Sequence, residues 1–268
     1  MDARLALIGL VVGVLVGISG VGGSSLMTPL LILVLRVNPL VAVGTDLAYS
    51  VPTKLLGALI HGRQGTVDRR LVAALCLGGL PGALLGLGLL VGLRAWLGLA
   101  ALNAGIKHGV GALLLLTAAA VVLTPLLARR HKRPHPRPTS PTGVDAGDVW
   151  TPGTRRRAVA LGGAVGVLVS LTSIGSGAVA VPALVLLLPR LGLRRVVGSD
   201  VAFAAALLPL AAAGHAGLGS VNWGLSANLL AGSLPGVFVG SKLCAGLPDR
   251  WLRPVVAGTM LWAGASLV

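Results

Sequence analysis

One unit of sequence occurs twice in this chain, about 153–154 residues apart, and that repeat constrains the fold more than any other feature. Gly22, Pro29, Gly44, Asp46, His61, Gly65, Val67, Pro81, Gly82 and Gly86 recur as Gly175, Pro182, Gly198, Asp200, His215, Gly219, Val221, Pro235, Gly236 and Gly240. The offset is 153 up to the prolines and 154 from Gly44 onward, so one residue is inserted before Gly198. The kept residues are mostly glycines and prolines that shape backbone, plus one Asp and one His per copy. In an apolar chain, a repeat of this period is how many secondary transporters are built, with a substrate site where the halves meet.

Composition sets the medium. A mean hydropathy of +0.92, with 55% hydrophobic and 11% charged residues, lies outside the usual range of soluble domains. Apolar runs Pro39–Ile60, Leu71–Val91, Gly105–Leu127, Val196–Gly214 and Leu225–Leu243 approach the ~20 residues that a helix needs to cross roughly 30 Å of hydrocarbon. The expected class is all-α, a polytopic membrane protein. Trp251–Val268 is short for a span, but crosses if Arg250 and Arg253 lie at the interface. Met1–Arg4 leads straight into apolar sequence without a small-residue cleavage pattern, and is read as mature protein.

A net charge of +15 would suggest nucleic acid in a soluble protein. With one Tyr and two Phe, and with the cations in loops between apolar spans, the charge reads as topogenic and no nucleic-acid partner is expected. Cys76 and Cys244 have no counterparts in the other half and form no metal spacing; they read as small packing residues.

Residues 1–127 form the first membrane repeat and 158–268 the second, joined by a basic, Pro-rich linker, Ala128–Arg157, expected on the cytoplasmic side. Five prolines within Pro134–Pro152 preclude a continuous helix there. Each half opens on about 31 apolar residues, Leu5–Leu35 and Ala158–Leu188, interrupted at Ser19–Ser25 and Thr172–Gly177. A straight helix of that length would reach roughly 46 Å, too long for one span. A hairpin with arms of about 13–15 residues fits better, its glycines and hydroxyls supplying the turn and the backbone partners that lipid cannot.

Charge chooses between these options. With single-crossing openings and the N-terminus inside, Arg4, Arg63, Arg69, Arg70 and eight linker cations are cytoplasmic, twelve against nine outside. With re-entrant hairpins and the N-terminus outside, Arg190, Arg194, Arg195, Lys242, Arg250 and Arg253 join Arg63, Arg69, Arg70 and the linker. The count becomes seventeen against four (Arg4, Arg36, Arg94 and Lys107), with Lys54 in a span. The positive-inside rule prefers the second arrangement. Each half then has one re-entrant segment and about three transmembrane helices, and the two halves form inverted repeats suited to alternating access.

Candidate site residues follow from the breaks. A helix beginning after a break aims unpaired N–H groups at mid-membrane, and two such ends facing each other make an anion cradle. The substrate-binding candidates are Gly22, Gly23, Ser24, Ser25 and Thr28 in the first half and Thr172, Ser173, Gly175, Ser176 and Gly177 in the second. The competing reading is that these glycines only allow close helix packing. Asp46 and Asp200, in GTD and GSD, read as proton relays or as helix N-caps. His61 and His215 open the pattern H-x3-G-x-V-[D/N]; they read as coupling residues by their titration range, or as structural residues holding a turn. Asp68 and Asn222 in that pattern read as caps. Lys54 shares a helix face with Asp46, but its counterpart is Leu208. The LPG motifs, Leu80–Gly82 and Leu234–Gly236, place proline inside a span and predict a kink.

No H-E-x-x-H, G-x-S-x-G, Walker A lysine or zinc-spaced Cys/His cluster occurs, so no enzyme, metal site or cofactor is expected. On GVGGSSLMTPLL, GTD, the H-x3-G-x-V-D turn and LG-x-LPG-x-x-x-G, repeated as SIGSGAVAVPAL, GSD, HAGLGSVN and AGSLPGVFVG, the chain resembles the sulfite exporter TauE/SafE family. The resemblance implies a multi-pass anion permease of the bacterial inner membrane, carrying sulfite or a small organosulfur or carboxylate compound. It also implies that the two glycine-rich breaks and the Gly-Thr/Ser-Asp elements form the site. SIGSGA is less glycine-rich than the family's common GIGGG-like sequence. The partners expected are a small anion and the lipid bilayer, with a homo-oligomer left open. The rival readings are a carrier for a cation or neutral metabolite, and a non-transporting membrane enzyme or sensor.

Overall fold

In the computed structural model of the chain, residues 3–19, 24–130, 150–188, 191–244, 258 and 260–268 are described. Among them there is helix and no strand. Helix is what an apolar medium demands, because every backbone polar group then finds its partner within its own segment. The elements are α1 (Ala3–Ser19), α2 (Ser24–Leu33), α3 (Pro39–Arg63), α4 (Arg69–Arg130), α5 (Pro152–Thr172), α6 (Ala180–Leu187), α7 (Leu193–Gly217) and α8 (Trp223–Cys244). Residues 260–267 are helical again.

Helices α3 and α7 have 25 residues each and α8 has 22. At 1.5 Å per residue they reach roughly 33–38 Å, enough for a bilayer core. Within α4 and α7, Arg69–Ala119 and Leu193–Gly217 pass on both length and hydropathy. The 62-residue α4 is not one rod: at Gly98 the backbone takes φ 77°, ψ 171°. Only glycine adopts that conformation without strain, so the break divides α4 into two arms that contain the two apolar runs read from sequence.

The second opening segment is interrupted where the sequence places its break, between Thr172 and Ala180, whereas Gly20–Gly23 of the first lie outside the described residues. The arms are unequal, 17 and 10 residues in the first half and 21 and 8 in the second, rather than 13–15 each. Local capping explains the long α5. The Thr151 side chain accepts the Thr154 N–H at 3.1 Å and Pro152 occupies the first turn, so the helix starts six residues before the apolar stretch. The caps read at Asp68 and Asn222 form: Asp68 Oδ1 accepts the Arg70 and Leu71 N–H groups at 2.9 and 3.1 Å, and Asn222 Oδ1 accepts that of Leu225 at 3.0 Å. Both LPG prolines lie within helix, Pro81 in α4 and Pro235 in α8, and Gly98 is the only non-helical residue inside α4.

Packing pairs one half with the other. On the first arm of α4, Gly78 and Gly82 lie against the backbone of Val159 and Gly163 in α5, while Gly162 and Gly166 of α5 lie against Leu75 and Gly79. In the same way Gly9 and Gly13 of α1 meet the backbone of Leu229 and Ser233 in α8, and Gly236 meets Leu10. Between α3 and α7, Gly44 lies against Ser220 and Gly198 against Thr66, residue pairs that match under the sequence repeat. Small residues let these backbones approach closely enough for dispersion contacts to hold helices together where lipid offers no hydrophobic drive. Outward-facing Leu84, Leu85, Leu89, Trp96, Phe238 and Trp262 are exposed, the apolar exterior that a lipid-facing surface requires.

The glycine contacts make a direct prediction. A methyl group at Gly82 would meet the Gly163 backbone, whereas at Gly88 nothing lies within 4 Å. Gly82→Ala should lower stability by roughly 1–3 kcal/mol. Gly88→Ala should be neutral or stabilising by up to about 1 kcal/mol. Thermal unfolding of the two purified variants in detergent checks the contrast.

Candidate functional site

Asp46 lies two turns inside α3, whose N-cap is Asn38, and Asp200 lies inside α7, whose N-cap is Gly192. Neither aspartate caps its helix. The wholly buried Asp46 carboxylate is held by three hydroxyls from three places in the fold. Thr28 of α2 donates to Oδ2 at 2.6 Å, Ser173 of the second break donates to the same oxygen at 2.8 Å, and Ser50 donates to Oδ1 at 3.3 Å. Ser50 sits one helical turn after Asp46 and so on the same face. One carboxylate therefore ties α3 to both opening segments.

The matching aspartate is held more weakly. Asp200 is also buried, yet Ser176 donates to its Oδ2 at 3.4 Å and Oδ1 has no hydrogen-bond partner. The Gly177 N–H faces the same carboxylate. A half-buried ammonium, that of Lys54, acts electrostatically on both carboxylates. In the second half its place is taken by the buried Leu208, so the pair of acids shares a cation supplied by one half.

The second break is organised by its own hydroxyls. Ser173 takes a left-handed conformation (φ 62°) and its N–H closes the end of α5 on the Val169 carbonyl. Thr172 Oγ1 donates to the Leu168 or the Ile174 carbonyl, at 2.7 and 3.1 Å, and accepts the Ile174 N–H at 3.2 Å. Thr172 is thereby committed to backbone, Ser173 to Asp46 and Ser176 to Asp200. Gly177 takes φ 81°, a conformation open to glycine, whereas at Gly175 an added methyl group would press on Val169. Of the first-half candidates, Thr28 reaches the aspartate. Gly22 and Gly23 lie outside the described residues, as do the side chains of Ser24 and Ser25.

His215 is fully buried, with Nδ1 at 2.9 Å from Ser220 Oγ and Nε2 at 2.8 Å from the Ser170 carbonyl oxygen. A carbonyl only accepts, so Nε2 carries the proton there. Ser170 is in the last turn of α5, where helix carbonyls lack intrahelical donors, and His215 satisfies one of them from α7. His61 makes the matching Nδ1 contact to Thr66 Oγ1 at 2.9 Å but is half-buried.

Some contributors escaped the sequence reading. Thr45 Oγ1 accepts the Asn222 N–H at 3.0 Å and Ser199 Oγ accepts the Asp68 N–H at 2.8 Å, so the hydroxyl before each aspartate fastens its helix to the turn of the other half. Ser50 had a legible signal, its four-residue spacing from Asp46. Thr45, Ser199 and Ser170 had none, because their partners lie 45–177 residues away. Among the described residues no cluster of His, Cys and acidic groups is placed to hold a metal ion.

Comparison with known proteins agrees with the motifs. A family model described as Sulfite exporter TauE/SafE matches residues 5–267. A Bacillus subtilis (strain 168) protein named "Probable membrane transporter protein YjnA" is 38% identical over 268 residues, covering 100% of both chains. A second from the same organism, "Probable membrane transporter protein YdhB", is 27% identical over 266 residues, covering 96% of this chain and 98% of its own. No solved structure matches the chain.

The two histidines should separate in stability. His215→Ala leaves the buried Ser170 carbonyl without its donor and should cost about 1–3 kcal/mol. His61→Ala, at a half-buried site, should cost less than about 1 kcal/mol. Unfolding midpoints measured side by side test this order.

Proposed function

The chain belongs to the sulfite exporter TauE/SafE family, a family of membrane proteins, and on that premise we propose that it is a secondary transporter for a small anion, coupled to protons through Asp46. The observation that carries the reading is the Asp46 carboxylate, bonded at once by Thr28 of one opening segment and Ser173 of the other, within electrostatic reach of Lys54.

Ionised Asp46 consumes both hydroxyl protons on one oxygen. Once Asp46 is protonated, its own O–H becomes a donor and one of the two hydroxyls is released. A released donor next to Lys54 is what an anion of sulfite or carboxylate type needs. Binding the proton also removes the negative charge that would repel that anion. Proton and anion are thus taken up together, and the two openings are no longer held by the same oxygen. Sulfite or a small organosulfur or carboxylate compound is the substrate class on this reading.

An inverted arrangement of the halves, with re-entrant openings, is supported by which ends meet. The start of α3 meets the end of α7 (Gly44 on Ser220) and the start of α7 meets the end of α3 (Gly198 on Thr66), so the two helices run in opposite senses. Along α1 and α8 the contacts climb together, Gly9 on Leu229 and Gly13 on Ser233, so these two share a sense. Arg194 shares a pocket with His61, Gln64 and Thr66, while Arg70 shares another with Arg155 and Arg156. At the opposite end Arg94 donates to the Leu218 carbonyl at 3.3 Å. This charge distribution favours the hairpin topology, with the linker and the α3–α4 turn facing the cytoplasm. Rocking of one half against the other about the Asp46–Asp200 region then gives alternating access.

A second reading draws on Asp200. Two buried carboxylates, one with an unpartnered oxygen, also suit a small cation as cargo. Flux in liposomes separates the two. With the wild type, sulfite or another small anion should move and respond to a pH gradient. Asp46→Asn should fold yet lose at least roughly tenfold of the gradient-driven rate, and wild-type flux from it would end the relay role. Lys54→Met should raise the KM for the anion about tenfold or more, equivalent to about 1.4 kcal/mol. Movement of a monovalent cation with no anion flux would favour the second reading.

A further inference from the structure

Where α4 and α5 begin, a groove of about 940 Å³ opens between them. Its lining runs from Arg70, Arg155 and Arg156 with Trp150 and Thr151 at the helix starts, the rim, to Ala73, Leu77 and Val159 further along the two helices, the floor. The three arginines are exposed, and no lining residue is acidic. Of the carboxylates among the described residues, Asp46 and Asp200 are buried in the site, and Asp68 turns one oxygen onto the Arg70 and Leu71 amides at the start of α4. We propose that this groove binds one anionic phospholipid, its phosphate on the three guanidinium groups and an acyl chain along the apolar floor.

The chemistry changes along the groove in the order a lipid needs. Arg70 and Leu77 are two helical turns apart, roughly 10 Å along α4. Arg156 is followed one turn later by Val159 in α5. Cations therefore stand at the mouth and apolar side chains one to two turns deeper, matching the step from headgroup to hydrocarbon. Guanidinium groups bind phosphate oxygens through paired N–H donors, and Trp150 at the mouth suits the interfacial zone, where an indole has one apolar and one wet side. The N-terminus of α5, capped by Thr151, adds its positive end to the same rim. A free phosphate would use the rim alone and leave the floor uncovered. A bound lipid would bridge the first turns of α4 and α5, the pair whose backbones are in close glycine-mediated contact below.

The test is a titration of the purified full chain in a mild detergent with phosphatidylglycerol and, separately, phosphatidylcholine, bound lipid being counted by native mass spectrometry. The wild type should retain one phosphatidylglycerol with clear preference over phosphatidylcholine. At about fivefold per cation, Arg70→Gln/Arg155→Gln/Arg156→Gln should weaken that binding by about a hundredfold. Arg63→Gln/Arg194→Gln/Arg195→Gln removes the same charge elsewhere and should leave it within about twofold. Leu77→Gln should weaken phosphatidylglycerol but not glycerol phosphate. Equal loss in both triple variants, no preference between the two lipids, or glycerol phosphate binding as tightly as the lipid would overturn the proposal.

Discussion

A helix that stops inside an apolar medium leaves backbone carbonyls and N–H groups that lipid cannot satisfy, and the polar contacts of this protein are arranged around that constraint. The end of α5 shows how it is met. Val169 is closed by the Ser173 N–H, Leu168 and Ile174 have Thr172 Oγ1 in reach, and Ser170 receives a donor from His215 on another helix. Supplying these partners requires α5, α7 and the α7–α8 turn to be in register. Satisfying one broken helix thus positions Ser173, and with it the contact to Asp46.

The two halves share their scaffold and differ in their chemistry. Gly44 and Gly198, Thr45 and Ser199, Thr66 and Ser220, Asp68 and Asn222 make corresponding contacts across the interface. Departures from the repeat gather at the aspartates. Asp46 has three hydroxyl donors and Asp200 has one, and Lys54 has Leu208 as its counterpart in the second copy. On the proposed mechanism, a frame in which two halves move against each other needs symmetry, whereas a single substrate and a single coupling event do not. On that mechanism, the acid that titrates is Asp46.

Much of the architecture was legible because helices in lipid obey local rules. The apolar runs, the caps at Asp68 and Asn222 and the interruption at Thr172–Gly177 depend on residues within a turn or two of one another. Arm lengths are not legible in the same way, because hydropathy does not register a helix that starts early on a Thr-Pro cap in a basic linker. Asp46 and Asp200 are not N-caps for a similar reason, since α3 and α7 each start seven residues before the acid, at Pro39 and Leu193.

Taken by itself, the sequence determined that this chain is helical, that it belongs in a membrane and that it is two copies of one unit, since composition and spacing carry those properties directly. Tertiary structure decided which hydroxyl serves which carboxylate: Thr28 and Ser173 converge on Asp46, although 145 residues separate them (173 − 28). It also decided that His215 serves an α5 carbonyl and that Lys54 comes within electrostatic reach of both acids. The physical reason is that a side-chain hydrogen bond acts over about 3 Å while the sequence records only order along the chain. Partners brought together by packing two halves face to face leave no periodicity to read.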